Sequence, residues 1–229
     1  MNSKRVVIIY GPPGGGKGTQ AELLVRRYGF FNFDTGRYLE NTVHAEENQK
    51  NPVIRREREL FDSGKLCTPS FVLKIIKKET KKLATLGADL VFSGSPRTIY
   101  EAFGDKSNKG LLDLLKSTYG KENIDIVFLK IPPEVSLKRN SHRKVCSVCG
   151  LQVLAKVKHA RCPLCDGKTK TRTLDKPEVI KVRLDEFKNR TYPIVVRVKK
   201  EKYKVYEIDG TPAPFEVHEK IIKALKLKK

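Results

Sequence analysis

Nine residues constrain this chain more than any others: Gly11-Pro-Pro-Gly-Gly-Gly-Lys17-Gly-Thr19, set directly behind the apolar run Val6-Val7-Ile8-Ile9-Tyr10. Glycines in such a turn reach backbone conformations closed to other residues and leave no Cβ between peptide and ligand, so successive N–H groups can converge on an anion. The pattern Gln20-Ala21-Glu22-Leu23-Leu24-Val25 predicts a helix beginning near Lys17, whose positive end adds to the cradle. Lys17 supplies a charge for β- and γ-phosphates. Strand, G-x4-G-K and helix together are the context of the phosphate-binding loop. The triphosphate is therefore expected on Gly14, Gly15, Gly16, Lys17, Gly18 and Thr19. One detail departs from the pattern: Gly18 stands where Ser or Thr is usual, and the hydroxyl comes one residue later, at Thr19.

Behind this loop, apolar β-rich runs recur at residues 6–10, 30–33, 90–93, 126–131 and 203–208, separated by helical patterns at 19–28, 70–86, 110–117, 133–139 and 177–188. Strand alternating with helix predicts a five-stranded parallel sheet covered on both faces, a P-loop three-layer α/β/α sandwich. In such sheets ligands bind beyond the carboxyl ends of the strands, where the glycine loop lies. Two stretches break the rhythm. Residues 34–64 are polar with weak helical periodicity, and residues 141–176 are basic and punctuated by cysteine, proline and glycine. Both read as insertions over the rim, dividing the core into residues 1–33, 65–140 and 177–229.

Within the second insertion, Cys146-Ser-Val-Cys149 is followed, after twelve intervening residues, by Cys162-Pro-Leu-Cys165. Paired C-x-x-C turns provide a closed S₄ site suited to structural zinc, with no position left for water or substrate. The metal is expected to staple a segment too short to build its own core. Cys67 lies apart and reads as a small apolar residue. The formal charge of +21 falls to about +19 once zinc on four thiolates is counted, an excess that attracts nucleotides, nucleic acid or anionic lipid without choosing among them. Much of it lies at residues 138–176 and 220–229. The tail is expected to be a solvated lysine-rich surface and a short amphipathic helix, with Val217, Ile221, Ile222 and Leu225 on one face. The N-terminal apolar run is too short to span a bilayer and has no cleavage signal. The expectation is a cytoplasmic protein with reduced cysteines and no membrane partner.

Several motifs in order, GPPGGGKGTQA at 11–21, DTG at 34–36, SGKLCT at 63–68, GSPRT at 94–98, RNSHRKVCSVCG at 139–150 and IDGT at 208–211, resemble the adenylate kinase family in its long form, whose lid carries a zinc knuckle. The resemblance spans nearly the whole chain. It implies transfer of the γ-phosphoryl group of ATP, as its Mg²⁺ complex, to a nucleoside monophosphate, by a monomer. Residues 34–64 would form the monophosphate-binding insertion and residues 141–176 the zinc-binding lid. By position, Arg97 would hold the acceptor phosphate, while Thr35, Gly36 and Gly94 would border the acceptor. Arg139, Arg143, Arg172 and Arg183 would grip ATP and the phosphoryl group in flight, with Lys17, Arg97, Arg143, Arg172 and Arg183 as the catalytic set. Such transfer needs placement and charge neutralisation more than covalent help, which suits arginine.

Three positions depart from the family. Ser93 replaces the usual aspartate that organises magnesium waters, leaving the ion to the phosphates and water. Glu40 replaces a second acceptor-phosphate arginine, a task expected of Arg37 instead. Glu101 replaces a glutamine that reads adenine, and an ionised carboxylate can only accept. AMP is the expected acceptor, with GMP or another monophosphate as the alternative. A protein of another class, binding nucleotide with little catalysis and offering its basic surface to RNA, stays open beside it, although the cysteine segment lacks an aromatic stacking cluster.

Overall fold

The computed structural model describes residues 4–153, 161–171 and 173–227. Its first half runs β1 (Val6–Tyr10), α1 (Lys17–Tyr28), β2 (Phe31–Phe33), α2 (Thr35–His44), α3 (Pro52–Asp62), α4 (Pro69–Thr85), β3 (Leu90–Phe92), α5 (Ile99–Phe103) and α6 (Leu111–Tyr119). It continues through β4 (Ile124–Lys130), α7 (Pro133–Ser141), β5 (Lys144–Cys146), β6 (Gln152–Val153), β7 (Thr169–Lys170), α8 (Pro177–Glu186), α9 (Tyr192–Lys200), β8 (Lys204–Asp209) and α10 (Pro214–Leu225).

Five strands form the expected parallel sheet in the order β2-β3-β1-β4-β8. Every residue of β1 is buried, because alternate side chains enter two separate cores. Val6, Ile8 and Tyr10 pack with Ile76 of α4, Leu115 of α6 and Val198 of α9. Val7 and Ile9 pack on the opposite face with Leu24 of α1 and Ile221 of α10. These are the three layers.

The interrupting segments take distinct forms. Residues 34–64 hold two helices: α2, capped by the Asp34 carboxylate accepting from the Arg37 N–H, and α3, capped by Asn51 with proline at the helix start. β5, β6 and β7 make a small antiparallel sheet that carries the cysteine turns.

The C-terminal stretch forms the expected amphipathic helix, and one further helix was not expected. The C-terminal helix begins at Pro214, ahead of the lysine-rich tail, and buries Val217, His218, Ile221 and Leu225, with Ile222 only half-buried. It is a core layer carrying a basic outer face. Tyr192–Lys200 is a helix that the periodicity reading passed over, entered through a π-helical turn at Phe187–Thr191.

Candidate functional site

The glycine loop leaves β1 at the carboxyl edge of the sheet and turns through left-handed backbone at Gly14 (φ 76) and Gly16 (φ 86). A Cβ on Gly14 would stand 2.7 Å from the Asn140 amide of α7, whereas one on Gly16 would meet nothing within 4 Å. The loop is thus braced on one side and open on the other. Ser136 of α7 tightens the brace, its hydroxyl donating to the Pro13 carbonyl at 2.6 Å. Gly16 caps α1 without any side-chain hydrogen bond, and the first turn of that helix has no acid. Its N–H groups and the positive helix end are arranged for an anion.

Lys17 folds back over the loop, donating from Nζ to the carbonyls of Gly11 (2.8 Å) and Pro12 (2.9 Å). Burial pulls its pKa well below the usual lysine value, and the nearby guanidiniums of Arg97, Arg183 and Arg143 pull in the same direction. Lys17, Arg97 and Arg183 share one cleft, walled also by Ser93, Gly94, Ser95, Glu186 and the π-helical residues Phe187 and Thr191.

Each cation has its own support. Arg97 Nε donates to the Gly94 carbonyl at 2.6 Å, and the Arg97 carbonyl accepts from the Thr191 hydroxyl at 2.9 Å. Its guanidinium lies beside Gly94 and Gly36, within van der Waals reach of a Cβ built at either. Arg143 makes a two-point bond to Asp175, at 2.9 and 2.5 Å, and Arg183 reaches the same carboxylate at 3.2 Å. Asp175 is fully buried, so one acid orients two arginines from separate elements. The sequence reading missed it. Its signal was faint: a single acid between Asp166 and Glu178 in a basic stretch.

The structure separates the remaining candidates. Arg139 is turned toward the β8–α10 loop, donating to the carbonyls of Gly210 (2.7 Å) and Thr211 (2.8 Å), and that loop comes up against Gly15. Thr35, Gly36, Gly94, Arg97 and Glu101 line a second lobe of the cleft, with Leu39, Phe61, Leu66, Cys67 and Val72 as apolar wall. Glu101 is buried, and its two oxygens accept from the Arg97 N–H (2.7 Å) and the Thr98 hydroxyl (3.0 Å). Burial raises its pKa, partly offset by these hydrogen bonds. The Arg37 guanidinium lies against Gly150 of the cysteine segment, and the Gln152 amide lies over Gly18 at the start of α1. The segment thus touches both the glycine loop and the α2 insertion. Ser93 donates to Asn32 at 3.3 Å. Arg172 lies outside the described residues.

The four Sγ atoms of Cys146, Cys149, Cys162 and Cys165 all lie within 4.8 Å of one another. Pairs stand 3.5 Å (Cys146 to Cys165) and 3.6 Å (Cys149 to Cys162) apart, far beyond a disulfide bond and near the roughly 3.8 Å edge of a tetrahedron with 2.3 Å zinc–sulfur bonds. Backbone N–H groups of Val148 and Cys149 point at Cys146 Sγ, and that of Leu164 points at Cys162 Sγ, which favours thiolates. Chemistry and spacing both fit zinc. Cys67 is buried elsewhere, its thiol donating to the Glu57 carbonyl while burial pushes its pKa up to about 12.

Among the described residues no helix is long and apolar enough to cross a membrane. The sequence profile of the family described as adenylate kinase matches residues 9–203. Relatives named adenylate kinase include one from Clostridium perfringens (strain SM101 / Type A), 30% identical over 96% of this chain and 97% of that protein. Another, from Clostridium tetani, is 28% identical over 96% and 97% of the two chains. One from Chlamydia pneumoniae is 31% identical over 85% of each.

Proposed function

The chain belongs to the adenylate kinase family, and from that membership we infer that it transfers the γ-phosphoryl group of ATP reversibly to AMP, giving two molecules of ADP. An uncapped helix start carrying Lys17, with three arginines near enough for their charge to act on it, supports this reading most directly. ATP enters as its Mg²⁺ complex, with triphosphate oxygens on the N–H groups of residues 14–19 and Lys17. Arg97 takes the acceptor phosphate; Arg143 and Arg183, aligned by Asp175, meet the charge that spreads over the phosphoryl group in transit. Arg172 joins them on its motif position. Arg139 serves the ATP side indirectly, by holding the loop beside Gly15.

Residues 34–64 carry the acceptor and residues 141–176 act as the lid that keeps water from the phosphoryl group. The contact of Gln152 with Gly18 is what such a lid makes when shut. Zinc on Cys146, Cys149, Cys162 and Cys165 supplies a rigid centre for the lid; the thiolates hold it and no substrate atom reaches it. Metal-ready thiols in place of disulfides support a reducing, cytoplasmic setting, and a single chain contains every residue named, which supports action as a monomer.

Incubation with ATP–Mg²⁺ and AMP, GMP, CMP or UMP separately tests the reading. Rapid ADP formation with AMP is expected, and Lys17→Met should lower it by roughly a hundredfold or more. Diphosphate formation with none of the four, or full activity in Lys17→Met, would overturn it.

A further inference from the structure

Three buried hydroxyls, Tyr10 Oη, Thr35 Oγ1 and Ser95 Oγ, have no hydrogen-bond partner among the described residues. A buried polar group left unmatched is costly, so three around one cleft mark a polar wall shaped for a ligand. Ser95 is 4% exposed and alone of the three lines both lobes, the one beside Lys17 and the one holding Glu101. Apolar walls and a buried carboxylate give the second lobe the character of a slot for a flat base.

Glu101 cannot serve that slot unaided. Its carboxylate has about four acceptor positions, two of them taken by the Arg97 N–H and the Thr98 hydroxyl, and no donor. Adenine presents a donor, the 6-amino group, beside an acceptor, N1. A carboxylate satisfies the first and opposes the second. Ser95 belongs to the same turn as Arg97, whose N–H is tied to Glu101, so the backbone that carries the hydroxyl is anchored to the carboxylate.

We propose that Ser95 determines acceptor specificity by donating its hydroxyl hydrogen to N1 of the acceptor adenine while Glu101 accepts from the 6-amino group. The pair does the work of one amide side chain. This rests on AMP being the acceptor.

The test uses 1-deaza-AMP, in which C–H replaces N1. KM for AMP, 1-deaza-AMP and ATP is measured in the unaltered enzyme and in Ser95→Ala. The unaltered enzyme should show a KM for 1-deaza-AMP roughly tenfold above that for AMP, the size of one hydrogen bond. Ser95→Ala should raise KM for AMP by a similar factor and leave the values for 1-deaza-AMP and ATP unchanged. Its melting temperature should hold or rise, since an unmatched hydroxyl is gone. Equal KM for the two acceptors in the unaltered enzyme overturns the proposal without any variant. A Ser95→Ala loss of equal size with both acceptors, or a matching change for ATP, overturns it too. In those cases ADP formation from AMP would leave the phosphotransfer itself standing.

Discussion

At the scale of single residues, one buried imidazole links the glycine-loop helix to the C-terminal helix. Gln20 of α1 donates from Nε2 to the Pro214 carbonyl, which leaves its Oε1 to accept from His218 Nδ1 at 3.2 Å. Nε2 of His218 is then a bare lone pair, buried and without a partner among the described residues. Burial lowers the pKa of His218 and Arg27 lowers it further, so the folded protein holds the ring neutral. As pH falls, the unfolded chain takes up this proton first, near its ordinary value of about 6.5, and folding must exclude it. The contribution is fully present above that pH and is lost as pH falls toward the lower folded value. Thermal melts between pH 8 and pH 5.5 should therefore show a decline below about pH 6.5 that is shallower in His218→Asn. Identical pH profiles for the two proteins would contradict this.

At the scale of elements, zinc bound as proposed has a consequence for the stability of the cysteine segment. Its three strands are two or three residues long, Val148 and Leu164 at the knuckle tips are exposed, and little apolar area is buried. If zinc binds as proposed, it supplies the stability that this small buried area does not. Metal analysis should find one zinc per chain, and a strong chelator should produce an early melting transition while far-ultraviolet dichroism retains the helices of the core. Protein free of zinc, or a melt unchanged by the chelator, would count against the assignment. These knuckles were legible in the sequence because cysteine spacing encodes their geometry directly. The sheet was legible too, since strands buried on both faces read as unbroken apolar runs, as Val6–Tyr10 does. Tyr192–Lys200 was not. Pro193 interrupts the pattern and Ile194, Val195, Val196 and Val198 are β-branched, so local preference opposes a helix that packing of Ile194, Val195 and Val198 into the core stabilises. Asp175 was hidden for another reason: its importance comes from two arginines that only the fold brings to it. The Glu101 departure was visible in the sequence, but its unpartnered neighbour Ser95 was not, because an unmatched hydroxyl is a property of surroundings.

At the scale of the whole molecule, the arrangement joins a rigid base to a cover. The sheet and its two layers fix the glycine loop, α7 braces it from behind, and the cysteine segment reaches across to Gly18 with Gln152 and to Arg37 with Gly150. On the reading proposed above, the cysteine segment would close over the cleft and exclude water, which competes with the acceptor for the same electrophilic phosphorus. The large positive charge attracts anionic nucleotides at long range, an effect that salt should weaken. The central claim is that the γ-phosphoryl group passes to a bound monophosphate inside this enclosure. ATP labelled at the γ-phosphorus, mixed with excess enzyme and AMP and stopped after one turnover, tests it most directly. The account predicts nearly all of the label in ADP; label released mainly as inorganic phosphate, or left in ATP, would contradict it.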